Sequence, residues 1–297
     1  MRACAVSLPH STKRPAKKSG ATWLTGSYDA ALDTLYWAVG NPGPDLNGDD
    51  RPGDNLYSDS VVALNAKTGK LKWHYQFTPH DVWDWDAQSP LTLIDATWEG
   101  KPRKLLLQAN RNGFFYTLDR VTGELLLAKP FVKKLTWAKE IGPNGRPVLN
   151  PNQEPTERGN KICPALVGAA NRWSTGYDPA SKLYFVQTIG NCEIYFKRKA
   201  EWEAGGRYFW GTYSAASTDP PERILRAIDP KTGKSEWEIA EVGTGESRAG
   251  LLATGRPVWS LQTNLSLRAS PMTYVFDNRQ RVAIAAGSSI LVFGLLP

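Results

Sequence analysis

Hydrophobic residues in this chain come in short bursts bounded by Gly, Pro, Asn and Asp, and from Ala21 onward the bursts read as strands. Residues 1–19 carry no such period and set themselves apart as an irregular basic head, expected to be disordered. Thr34-Leu-Tyr-Trp-Ala-Val39 is β-branched and aromatic and reads as a strand, as does Leu71 to Tyr75. Between them Asn41-Pro42-Gly43-Pro44 opens a loop, Asp45 to Asn55, rich in Gly, Asp and Asn. Its Asp45-x-Asn47-x-Asp49 spacing imitates a calcium loop. It has neither the glutamate at the twelfth position of an EF-hand nor flanking helical patterns.

The strands recur. Ala63-Leu-Asn-Ala-Lys-Thr-Gly69-Lys-Leu-Lys-Trp73 is matched by Ala227-Ile-Asp-Pro-Lys-Thr-Gly233-Lys-Ser-Glu-Trp237, and more weakly by Thr117-Leu-Asp-Arg-Val-Thr-Gly123-Glu-Leu. The spacing is one and then two units of roughly 50 residues. A second repeat, Trp23…Tyr28-Asp29…Leu35-Tyr36, returns as Trp173…Tyr177-Asp178…Leu183-Tyr184. One sheet of this size cannot bury both its faces alone, so the units must stack. The expected architecture is all-β, a partial β-propeller of about four to five blades over residues 20–297.

Composition agrees: 41% hydrophobic residues, a mean hydropathy of -0.41, 26 Gly and 21 Pro describe a soluble protein with many turns. Part of the net charge of +7 lies between Arg2 and Lys18, and short basic runs stand at Lys133-Lys134 and Lys197-Arg198-Lys199. No nucleic-acid recognition motif accompanies them, so they read as solvated faces. The first residues do not form a secretory signal, and no run reaches membrane-spanning length. Cys4, Cys163 and Cys192 are odd in number, and Cys4 in the head is the natural one to stay free.

Candidate chemistry concentrates in Gln76-Phe-Thr-Pro-His-Asp81-Val-Trp-Asp84-Trp-Asp86, with three aspartates and two tryptophans in its last six residues. Carboxylates this dense need a cation, a basic residue or a proton to offset their repulsion. The alternative is an acidic surface loop with some aromatic packing.

Taken together, these residues resemble the PQQ (pyrroloquinoline quinone)-dependent methanol/ethanol dehydrogenases, quinoproteins built as eight-bladed propellers. The resemblance runs over roughly residues 20–296. It rests on the blade string and on Gly40-Asn-Pro42, Arg51-Pro-Gly-Asp-Asn55, His74 to Pro79, Arg111-Asn-Gly-Phe114, Asn160-Lys-Ile-Cys-Pro164 and Ala269 to Tyr274. It implies that Trp23 stacks on the quinone and that Asn41 supplies an amide oxygen to the metal. Asp84 would be the catalytic base beside that metal. Arg111 would contact both the cofactor carbonyl and the catalytic carboxylate, and Asn171 would make a further cofactor contact. Cys163 and Cys192 match a structural disulfide of the family, expected on successive strands of a blade. Asp86 is the informative variant. Calcium-dependent members generally carry a small residue there and lanthanide-dependent members an aspartate, so the metal is Ca²⁺ or a lanthanide, with Asp86 favouring the latter.

The resemblance further implies oxidation of a small primary alcohol in the periplasm. With no Cys-x-x-Cys-His string to attach a haem, the electrons would pass to a soluble cytochrome c. A homodimer is an open expectation. Family chains are about twice as long, so a C-terminal-half fragment is expected, without the vicinal cysteine pair and the glutamate metal ligand. Arg248 stands where the family has a tryptophan over the cofactor, and part of a blade is expected to be missing before Trp259. Two other classes compete: a non-catalytic propeller scaffold that binds proteins, and a glycoside hydrolase using Asp81 and Asp84. The scaffold gives no reason for the site residues to stand in register. The hydrolase needs its acid and base on facing walls.

Overall fold

The computed structural model describes residues 20–199, 211–215, 221–241 and 271–294, and all regular structure among them is β-strand. The basic head with Cys4, the stretch holding Arg248 and Trp259, and Ala269-Ser270 lie outside the described residues.

Three four-stranded antiparallel meanders carry the fold. The first blade is β1 (Ser27–Asp29), β2 (Thr34–Ala38), β3 (Ser60–Asn65) and β4 (Leu71–Gln76); the second is β5 (Thr92–Trp98), β6 (Lys101–Ala109), β7 (Phe114–Asp119) and β8 (Leu125–Pro130). A hairpin follows, β9 (Ala138–Ile141) with β10 (Pro147–Leu149), and then β11 (Asn160–Ile162). The third blade starts with β12 (Gly176–Asp178) and β13 (Leu183–Gly190). The chain then leaves the blade for β14 (Glu193–Lys197) and β15 (Gly211–Ala215), which pair with β11 as an accessory sheet. It returns as β16 (Glu222–Ile228) and β17 (Ser235–Ala240) to complete the order β12-β13-β16-β17. A three-stranded sheet, β18 (Met272–Phe276), β19 (Arg279–Ala286) and β20 (Ser289–Gly294), ends the described chain. Of the four to five blades expected, three complete ones and this three-stranded sheet are described.

The repeated string is the third strand, turn and fourth strand of each blade. Gly69, Gly123 and Gly233 each sit at positive φ (69°, 82° and 70°) and donate to the carbonyl of Asn65, Asp119 or Asp229 at 2.8 Å. The side chains of those three residues accept backbone N–H groups of their own turns, which is why Asn or Asp recurs there. Register slips by one residue at the same place each time, at Ala63/Leu64, Thr117/Leu118 and Ala227/Ile228. Tyr36 pairs with Ala63 and packs 5.7 Å from Trp73; Phe185 pairs with Ala227 and packs 5.7 Å from Trp237. Phe185 is therefore the counterpart of Tyr36, a shift of one from the Tyr184 expected from the second repeat.

Blades one and two join through Arg120. Its side chain bonds Asp29 at 2.7 Å and Asp95 at 2.7 Å, and its carbonyl accepts from Tyr36 Oη (2.7 Å) and Trp73 Nε1 (3.2 Å). The Gly123 turn lies flat on Trp73, and the Gly233 turn repeats the contact on Leu127 and Lys129 of the second blade. The tight Asx-Thr-Gly turns leave one edge of each sheet. The long loops after β2 and β4 and the short turn after β6 leave the opposite end, where the chemistry collects.

Candidate active site

Asp81 builds the loop after β4. Its Oδ1 accepts the Trp83 N–H and its Oδ2 the Trp85 N–H, each at 2.7 Å. Trp83 and Trp85 stack at 4.8 Å, with Trp137 packed against both. The three indole N–H groups donate to the carbonyls of Gln153, Ala165 and Asn112. Asp84, between the two tryptophans in the chain, sits at φ 61°, a left-handed conformation that Asp tolerates better than most residues. Asp81 is fully buried and Asp86 7% exposed, so the surface-loop alternative does not hold.

Asp86 joins three segments. Its Oδ1 accepts the Asn41 N–H at 3.0 Å, and its Oδ2 pairs with Arg111 Nη1 at 2.6 Å. A Cβ at Gly40 would stand 2.1 Å from Asp86 Oδ1, so only glycine lets the carboxylate approach this turn. Arg111, in the turn after β6, donates from Nη2 to the Leu166 carbonyl, and its own carbonyl accepts the Ala169 N–H at 2.9 Å. Gly168, at φ 81°, lets that loop close over the arginine.

The centre holds more carboxyls than the Asp-Trp stretch alone supplies. Burial pushes Asp45 up to about 7 and Asp81 up to about 6. Burial, offset by Arg111 and reinforced by Asp45, Asp86 and Asp81, raises half-buried Asp84 well above the usual carboxylate range. Asp59 is raised in the same way by burial and by the charges of Asp81 and Asp86. It is wholly buried, and neither carboxyl oxygen has a hydrogen-bond partner. Arg51, fully buried, donates to the backbone carbonyls of Pro44 and Asp81 and to Asn55 Oδ1, tying the loops after β2 and β4 together. Asp59, Arg51 and the buried Tyr195, whose hydroxyl lacks a partner, escaped the sequence reading. Asp45 was noted only as part of a discounted calcium loop. The Arg51-Pro-Gly-Asp-Asn55 string was the one available signal for Arg51; Asp59 and Tyr195 gave none.

Trp23 is 44% exposed. Its segment is fixed by Gln88, two residues beyond Asp86: Gln88 accepts the Leu24 N–H at 3.0 Å and donates to the Ala21 carbonyl at 2.6 Å, while Gly40 N–H also reaches Ala21. The indole is thus presented from a backbone anchored to the Asp86 loop. Asn171 bonds within its own loop, donating to the Val167 carbonyl and accepting the Arg172 N–H, two residues beyond the contact with Arg111. Cys163 and Cys192 are disulfide-bonded. They follow β11 and precede β14, so the bridge closes the accessory sheet rather than joining successive strands of a blade.

Among the described residues no three His, Cys, Asp or Glu side chains form a ready-made metal cage. Asn41, Asp84 and Asp86 nevertheless offer hard oxygen donors, the type Ca²⁺ and lanthanides take. The crowd of raised carboxyls is a field that a cation would relieve. The donor chemistry fits such an ion, with Asp86 already shared between Arg111 and the Asn41 N–H.

Residues 5–134 match the PQQ family model described as glucose/ethanol/alcohol dehydrogenase, beta-propeller domain, a match that begins inside the basic head. The chain is 35% identical to the quinoprotein alcohol dehydrogenase PedH of Pseudomonas putida, covering 90% of this chain and 49% of that protein. It is 32% identical to a lanthanide-dependent methanol dehydrogenase of Methylorubrum extorquens, covering 90% and 50%. A solved europium-containing methanol dehydrogenase superposes with a TM-score of 0.81 at 32% identity, over 91% of this chain and 52% of that one. The chain spans about half the length of the curated relatives it matches. Blade repeat, site and likeness agree: the chain belongs to the quinoprotein alcohol dehydrogenase family of PQQ β-propellers.

Proposed function

We propose that this chain carries the catalytic centre of a PQQ-dependent oxidation of primary alcohols to aldehydes, in the periplasm, with a soluble cytochrome c receiving the electrons. The observation that supports it most is the convergence on Asp86 of Asn41 from one loop and Arg111 from the next blade, with Asp84 two residues away.

Asp84 is the general base: half-buried, it takes the alcohol proton on a carboxylate oxygen. Burial holds its proton tightly in the metal-free chain, so the base becomes competent when positive charge gathers beside it. Arg111 is fixed by Asp86 and the Leu166 carbonyl, ready to stabilise negative charge developing on a bound carbonyl oxygen. Trp23 offers a π-face to a planar ring, and Asn171 a polar contact from the loop that covers Arg111. Asn41, Asp84 and Asp86 would hold the cation, with the extra carboxylate of Asp86 favouring a trivalent lanthanide over Ca²⁺. A quinone bound there would supply hydride-acceptor chemistry and the cation Lewis acidity.

Dye-linked ethanol oxidation by the chain supplied with PQQ and either ion tests this reading. Turnover in the parent and none in Asp84→Ala, at unchanged melting temperature, is the expected result; retained turnover in Asp84→Ala removes the assignment.

A further inference from the structure

Arg111 is held from behind as well as in front. Leu166, whose carbonyl accepts from Arg111 Nη2, gives its own N–H to Glu193 Oε2 at 2.8 Å. Glu193 is half-buried and opens β14, directly after Cys192. The neighbouring contacts are equally specific. Ala165 N–H reaches the Asn191 carbonyl at 3.0 Å, and the Ala165 carbonyl accepts Trp85 Nε1 at 3.1 Å. Cys163 makes two bonds with Thr136, its N–H donating to the side-chain Oγ1 and its carbonyl accepting the Thr136 N–H, both at 3.0 Å. The segment from Cys163 to Ala169 is thus a cradle around Arg111. β14 supports it from outside, and the disulfide joins the start of the cradle to the start of β14.

We propose that Glu193 is a positioning residue for Arg111, acting through the Leu166 backbone, with the Cys163–Cys192 bridge keeping clamp and cradle in register. This rests on the reading of Arg111 as a site residue. A glutamate is suited to the task. Its carboxylate accepts a strong bond from the Leu166 N–H, and Leu166 passes that restraint on through the carbonyl that Arg111 Nη2 reaches. The strand that carries it is outside the blades, so the accessory sheet gains a role: it aims an arginine that the second blade only presents.

The test uses the cofactor-free chain, so a failure to oxidise alcohol leaves it readable. Glu193→Gln keeps an acceptor for the Leu166 N–H; Glu193→Met keeps length and burial but removes it. Hydrogen exchange at the Leu166 amide and the ¹⁵N–¹H signals of the Arg111 side chain, assigned by their loss in Arg111→Lys, are followed together with thermal melting. In Glu193→Met, Leu166 exchange should accelerate ~10-fold and the Arg111 signals should broaden, while Glu193→Gln restores both. Reducing the disulfide in the parent should shift the same signals in the same direction. Unchanged Arg111 signals in Glu193→Met overturn the proposal, as does a Glu193→Gln chain that behaves like Glu193→Met.

Discussion

Arg111 Nη1 and Asp86 Oδ2 stand 2.6 Å apart in a buried pair that joins the turn after β6 to the loop after β4. Removing one member leaves the other charge buried without its partner. Asp86→Ala is therefore expected to cost roughly 3 kcal/mol in denaturant unfolding, more than Asp86→Asn, which keeps an acceptor for the guanidinium. A loss below about 1 kcal/mol in Asp86→Ala would show the pair to be energetically idle.

The blade contact makes a sharper comparison. Gly69 and Gly123 occupy the same turn at positive φ, but a Cβ at Gly69 meets nothing, whereas one at Gly123 stands 2.7 Å from the Trp73 ring. Gly69→Ala should cost about 1 kcal/mol from the left-handed backbone alone, and Gly123→Ala a further 1–3 kcal/mol or so from displacing the tryptophan. Equal losses by thermal melting would mean that the stacking of blade on blade contributes little.

Much of this architecture was legible because the blade turn is written in residue types with fixed duties. Asn65, Asp119 and Asp229 cap the turn, Gly69, Gly123 and Gly233 take its positive φ, and Trp73 and Trp237 pack on the strand behind. The second repeat was read one residue out, because Leu183-Tyr184 copies the letters of Leu35-Tyr36 while strand register aligns Phe185 with Tyr36. The accessory sheet was not legible at all. β11 is three residues long and pairs with β14 more than 30 positions away, so no local period betrays it. That is also why the disulfide was expected within a blade. Motifs single out Asp84, Asp86 and Arg111 as candidates, whereas Asp59 stands in an ordinary Ser-Asp-Ser string and becomes notable only when it is seen to be buried with both oxygens unpartnered.

The crowded carboxyls give the metal-free chain a distinctive pH response. Asp45, raised chiefly by burial to about 7, binds its proton more tightly folded than unfolded, where its pKa is about 4. Its contribution to stability is complete below pH ~4 and is lost as pH rises through its folded value. Asp81, raised to about 6, acts in the same direction. Asp45→Asn should therefore raise the melting temperature more at pH 8 than at pH 5, and a bound Ca²⁺ or La³⁺ should shrink that difference in the parent. An equal shift at both pH values would contradict a burial-raised carboxyl at Asp45.

Trp23 projects from a segment held by Gln88 rather than by its own packing. Trp23→Ala is expected to leave the melting temperature within about a degree, since an exposed side chain contributes little to the core. It should also weaken quinone binding by about tenfold, measured by equilibrium dialysis. A large loss of stability with unchanged binding would move Trp23 from the cofactor site to the fold.

The account stands most directly on a titration of the purified chain with PQQ in the presence of Ca²⁺ or La³⁺, read by tryptophan fluorescence. Saturable quenching that requires the ion, is stronger with La³⁺ and is reduced in Asp84→Ala is the predicted result, because Trp83 and Trp85 adjoin Asp84 in the chain. An absence of quenching with either ion, from a chain that melts cooperatively, would contradict the claim that these loops form a working quinone and metal site.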